Sequence, residues 1–125
     1  MQKRIDRTPE EDYKLMILTI LYMAKSSRQA LDVVERVKMI LEANNILKPL
    51  DHMYLVSNQP RYYNTCCWAR KQLKDDGYLR QDSARGQWEL SNKGKKYMES
   101  MIKSPRLLKL LLTWHENHRA TQKPN

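Results

Sequence analysis

The chain has 125 residues, a length that fits one domain able to bury a core without metal or disulfide staples. Its 23 Lys and Arg against 14 Asp and Glu leave a formal net charge of +9, which points to an anionic partner such as nucleic acid or a membrane surface. The longest apolar runs, around Leu15–Met23 and Leu107–Leu112, are too short and too interrupted for a span of ~20 residues, and no apolar leader follows Met1, so neither a membrane protein nor a secreted one is expected.

The first predicted helix has clear start signals: Thr8 as cap, Pro9 at the first helical position and Glu11 completing a T-x-x-E capping box. Tyr13, Met16, Ile17, Ile20 and Ala24 then mark its buried face. The polar segment from Lys25 to Gln29 is expected to be the turn into a second helix. That helix sets Ala30, Val33, Val34, Val37, Ile40 and Leu41 against Asp32, Glu35, Arg36 and Lys38, and should pack on the first.

Residues 44 to 60 alternate between breakers (Asn44-Asn45, Pro49, Ser57-Asn58-Gln59-Pro60) and residues that favour burial (Leu50, Met53, Tyr54, Leu55), which predicts a long connector with one short helical turn. A third helix should begin near Pro60 and stop at Gly77, with Tyr62, Cys66, Ala69 and Leu73 as its buried stripe. Arg61, Asn64, Cys67, Trp68, Lys71 and Asp75 fall on the opposite side, with Thr65 on the flank.

From Tyr78 to Arg80 and from Gln87 to Leu90 the spacing shifts toward a period of two, with turn residues Asp82 to Gly86 between, which predicts a β-hairpin carrying Arg85 near its tip. Ser91 reads as the cap of a fourth helix with Tyr97, Met98, Met101 and Ile102 on its apolar face, and Ser104-Pro105 as the start of a fifth. The predicted fold is therefore mainly α with a small β-hairpin: a winged helix-turn-helix domain over residues 1–103, an extra C-terminal helix over 104–119 for dimerisation or docking, and a disordered tail over 120–125.

Helix, hairpin, helix is the order in which a winged helix-turn-helix writes its DNA-reading half. There the recognition helix enters the major groove and the wing lies over phosphates or the minor groove. On that pattern Arg61 and Lys71 could meet phosphate or guanine, Asn64 suits adenine, and Thr65 suits a thymine methyl. Arg80 and Arg85 serve the wing, and Lys93, Lys95 and Lys96 neutralise the backbone. Trp68 admits two fates, stacking on a base or packing against a neighbour, and packing is the commoner for a Trp; Trp88 should be core. The bland counterpart is that these cations are solvated faces of ordinary helices.

Catalysis finds little support. The chain has three glycines, too few for a phosphate loop, and Cys67 has no His and Asn partners to make it a nucleophile. Cys66 and Cys67 are adjacent in a predicted helix, where their side chains point ~100° apart and cannot easily bridge, so they are expected to be reduced thiols in a cytoplasmic protein. The His115/His118 pair has metal-like i, i+3 spacing but no further ligand near it in sequence, so an exposed helix end is expected, with no metal and no cofactor.

Asn64, Trp68-Ala69, Leu73 and Gly77, followed by Arg85-Gly86-x-Trp88-x-Leu90-Ser91-x-x-Gly94, resemble the N-terminal winged-helix domain of Mrr-type restriction proteins, over about a quarter of the chain. The resemblance implies a domain that binds DNA, often modified DNA, and delivers it to a separate nuclease domain. The nuclease motif that the resemblance implies is an acidic residue followed, on a strand, by Glu or Gln, any residue, then Lys. Its last letters occur at Gln72-Leu73-Lys74, but in the recognition helix and not on a strand, and no further domain follows residue 125, so nuclease activity is not expected. Thr65 departs from the Arg that the family commonly places beside the Asn.

The leading expectation is a non-enzymatic reader of double-stranded DNA, acting as a regulator or as the recognition module of a restriction-like system. Leu107, Leu108, Leu110, Leu111, Leu112 and Trp114 put apolar residues on more than one face of the last helix, which favours a homodimer with two recognition helices about one DNA turn apart. The alternative is a protein-docking module, with Trp68 and the Leu-rich helix as contact surface and Asp75, Asp76 and Asp82 repelling phosphate. An enzyme fragment would follow if the gene continued into a nuclease domain.

Overall fold

The structure, a computed structural model, describes residues 10–55 and 58–102, together with 104, 105 and 109. Helix α1 (Glu10–Ala24) opens on Glu10, Glu11 and Asp12, whose charge complements the positive end of the helix dipole. The Thr8 and Pro9 cap signals lie outside the described residues. Tyr13, Met16, Ile17 and Ile20 are buried as the spacing predicts, joined by Leu18, Thr19 and Leu21, so more of α1 is enclosed than one face. It packs against α2 (Ala30–Ala43), α3 (Arg61–Asp75) and α4 (Asn92–Met101), which makes it the central element.

The segment read as a plain turn between α1 and α2 also holds a strand. Lys25, with φ of 58°, ends α1, and Arg28–Gln29 then form β1, antiparallel to β2 (Gln87–Trp88) in the register Arg28↔Trp88 and Gln29↔Gln87. Two polar residues cannot display an alternating pattern, so this strand has no sequence signature. The Ala30 N–H then donates to the Gly86 carbonyl at 2.8 Å, tying the start of α2 to the same strand.

Helix α2 buries Val33, Val34, Val37, Ile40 and Leu41 as expected. The connector's one helical turn is a 3₁₀ turn at Pro49–His52. Its Asp51 is fully buried, and the carboxylate accepts from the Lys48 N–H at 2.8 Å and from the Tyr13 hydroxyl at 3.1 Å, so the connector is fastened to α1 by a buried polar contact. The expectation that Met53 and Tyr54 are buried fails: they are 58% and 69% exposed. Their backbone forms a narrow return instead, with Arg61 N–H donating to the Met53 carbonyl at 2.8 Å and a bridge between Tyr54 and Pro60. Backbone pairing holds this part of the chain, and the side chains are left outside.

Helix α3 runs between the predicted limits, with Pro60 just before it and Gly77, at φ of 87°, just after it. Cys66, Ala69 and Leu73 are buried and Tyr62 is half-buried against the same core. The predicted hairpin is held more sparsely than a ladder of paired strands: Leu79 and Leu90 form an isolated antiparallel bridge, Arg80 N–H donates to the Glu89 carbonyl at 2.9 Å, and β2 turns to β1 for its pairing. Gly86, at φ of 78°, makes the turn at the tip. Trp88, 5% exposed, is core as expected.

Ser91 caps α4, its Oγ accepting from the Gly94 N–H at 3.1 Å and donating to the Gly77 carbonyl, which joins the end of α3 to the start of α4. Met98 is buried, and Tyr97 packs its ring on Tyr78 with centroids 5.2 Å apart. The layout is mainly helical, with four helices and a small two-stranded antiparallel sheet among the described residues, as a winged-helix architecture requires. The predicted fifth helix and the tail lie almost wholly outside them.

Candidate nucleic-acid interface

Around α3, at about 100° per residue, the side facing away from the buried stripe carries Asn64, Trp68, Lys71 and Asp75, as the sequence predicts. Trp68 is 53% exposed, so the commoner fate of packing against a neighbour is not what this indole has. The helix leaves it on the outer face because positions 66, 69 and 73 already fill the core. Asn64 is half-buried beside it.

The polar candidates differ in how far the fold has already used them. Thr65 turns its hydroxyl back to the Arg61 carbonyl at 3.0 Å, and Arg61 has its Nε buried without a hydrogen-bond partner. Lys71 is paired with Asp75 one turn on, at 2.9 Å. Arg80 makes two hydrogen bonds to Asp82, at 3.0 and 3.1 Å, and lies 3.7 Å from Glu89. The hydrogen bond from Arg80 and its charge hold the Asp82 carboxyl below the usual carboxylate range. Lys93 donates to the Asp76 carbonyl at 2.7 Å and lies 4.6 Å over the Tyr78 ring, so it caps the α3 C-terminus. Arg85, Lys95 and Lys96 are exposed and form no ion pair among the described residues.

Two cations were missed by sequence reasoning. Arg70 and Lys74 lie between the outer face of α3 and the wing. The Arg70 guanidinium sits 5.7 Å over the Trp88 ring, and the Lys74 carbonyl accepts from the Gln81 side chain. Neither has an acidic partner among the described residues. Their i, i+4 spacing was legible, but the seat of Arg70 over a residue 18 positions later was not.

The thiols are chemically quiet. Burial pushes the Cys66 thiol far up, with Cys67 adding to the effect; burial also raises Cys67, against which the neighbouring Arg70 charge pulls it down. Both cysteines are free. Among the described residues no group of His, Cys, Asp and Glu could hold a metal ion, and no helix is long and apolar enough to cross a membrane. His115 and His118 lie outside them. Gln72-Leu73-Lys74 is on α3 with Leu73 in the core, so it does not have the strand setting of a nuclease motif.

These elements together define a winged-helix-like protein: α2, a connector, α3, a wing and a capped fourth helix around one core. Residues 13–100 match the model of the Mrr N-terminal domain, and the chain belongs to that family. The matched region is an N-terminal domain of restriction-related proteins and not a catalytic nuclease domain. No curated protein and no solved structure matches the chain.

Proposed function

We infer that the chain is a DNA-binding winged-helix module, a regulator or the recognition part of a restriction-like system, with α3 in the major groove and the wing on the backbone. The observation that carries this is the outer face of α3: Asn64, Trp68 and Lys71 stand together on a helix whose other side is core, beside a wing tipped by the unpaired, exposed Arg85. A phosphate-driven interface releases counterions, so affinity for duplex DNA falls steeply between ~50 and ~200 mM salt. Arg85→Ala should weaken binding and lower the salt slope by about one unit. Lys71→Ala should change the slope less, because removing Lys71 takes away a charge already balanced by Asp75. Fluorescence anisotropy of labelled duplexes measures both. Salt-insensitive or absent binding at the lower salt sinks the reading.

A second reading, a protein-docking module, draws on the exposure of Met53, Tyr54 and Trp68 and on the acidic end of α3 at Asp75-Asp76. It predicts no duplex binding and a partner whose capture is lost in Trp68→Ala.

A further inference from the structure

Two of the cations near the outer face of α3, Lys71 and Arg80, are already balanced. Lys71 is held by Asp75 and Arg80 by Asp82 and Glu89, and in each group the carboxylate would face an incoming phosphate together with the cation. Arg70 differs in three ways. It has no carboxylate partner among the described residues. Its guanidinium lies 5.7 Å over the ring of Trp88, which belongs to the wing strand and is itself buried, so a flexible side chain is given a fixed seat. Finally, its position, turned from the buried stripe toward the wing, puts its charge between the two elements that a nucleic-acid backbone would touch, with Lys74 one turn further on the same side.

We propose that Arg70, seated on Trp88 and supported by Lys74, forms a phosphate-binding site in the seam between α3 and the wing. The ligand is a backbone phosphate of the duplex, so the proposal rests on the DNA-binding reading above. The Arg70 guanidinium, 5.7 Å from the Trp88 ring centroid and with no carboxylate partner among the described residues, has N–H donors to offer, and its planar fork can give two parallel hydrogen bonds to the oxygens of one phosphate. The cation–π contact with the buried Trp88 restrains a side chain that would otherwise lose rotamer freedom on binding, so this contact is better organised than one from the exposed Lys95 or Lys96. It also couples helix to wing. A phosphate held here takes its position from Trp88 as well as from α3, so the angle between the two elements becomes part of how the duplex is aligned.

The test compares Arg70→Ala, Arg70→Lys and, as a control for lost charge, Lys14→Ala, whose ammonium is held by Glu10 and Glu11 on α1. Each variant is titrated with a fixed duplex at several salt concentrations, with a thermal melt to confirm folding. Arg70→Ala should bind roughly ten-fold more weakly and lose about one unit of salt slope. Arg70→Lys should keep the slope, since the charge remains, but bind a few-fold more weakly, since an ammonium offers no planar two-point contact. Lys14→Ala should match the parent chain in both. If the parent shows salt-sensitive binding and Arg70→Ala equals it in affinity and slope, the seam site is wrong while the DNA reading stands. If the parent shows no salt-sensitive binding, both are overturned.

Discussion

The two adjacent cysteines show how a single step along α3, about 100° around its axis, separates two chemical fates. Cys66 points into the core and Cys67 stays half-exposed, and the thiolate is the reactive form of each. Iodoacetamide should therefore label Cys67 before Cys66, and both more slowly than an unfolded chain at the same pH. Since the Arg70 charge lowers the Cys67 value, Arg70→Ala should raise it and slow the labelling of Cys67 further; mass spectrometry of timed samples reads the rates. Labelling of Cys67 that is unchanged or faster would show that the guanidinium does not act on this thiol. The same shifts have a sign for stability. A thiol raised on folding stays protonated while the unfolded one ionises, so its contribution is whole below about pH 8.5 and is lost as pH rises beyond it, at up to about 1.4 kcal/mol per pH unit for a fully buried group.

At the scale of elements, the junction between α3, the wing and α4 is where close approach decides composition. A Cβ on Gly94 would collide with the Tyr78 carbonyl oxygen and crowd the Leu90 side chain at 3.1 Å, so backbone would have to move. Gly94→Ala should cost about 1–3 kcal/mol, read as a lowered midpoint in urea unfolding, whereas Gly86→Ala meets no atoms and suffers only from its positive φ. An unchanged midpoint in Gly94→Ala would mean that the α4 start is looser than its packing shows. Much of this region was legible in sequence. The Ser91 cap, the limits of α3 and its buried stripe all followed from single residues at set spacings. What was hidden depends on partners far along the chain: β1 is too short to show a period, Met53 and Tyr54 are held by their backbone and not by burial, and the loss of Arg80 to Asp82 and Glu89 is visible only once the wing has closed. Lys71 and Asp75 are an i, i+4 pair legible in the sequence, and their charges neutralise each other on the outer face of α3.

Across the whole molecule, charge is distributed unevenly, and that bears on assembly. Residues 1 to 90 carry 15 Lys and Arg against 12 Asp and Glu, whereas residues 91 to 125 carry 8 against 2. The Leu-rich stretch after Ser104 shares that basic third, so a homodimer built on it would gather positive charge near the two-fold axis, where, on the DNA-binding proposal, a duplex spanning both copies of α3 would pass. Light scattering should give twice the chain mass, and mixed Leu107→Glu and Leu111→Glu substitutions should return the single-chain mass without unfolding residues 10–102. A single-chain mass for the parent at micromolar concentration would remove the dimer and, with it, the expectation of a palindromic site.

The pairing of β2 with Arg28–Gln29 gives the wing an anchor outside itself. Its far strand is stitched to the link between α1 and α2, and its near strand enters directly from Gly77, so the residues between Gln81 and Arg85 are suspended from two independently fixed points. A loop hung in this way can lengthen, shorten or change its side chains with little effect on the core. Within such a scaffold the wing tip is the part where substitutions and length changes should be best tolerated by the fold.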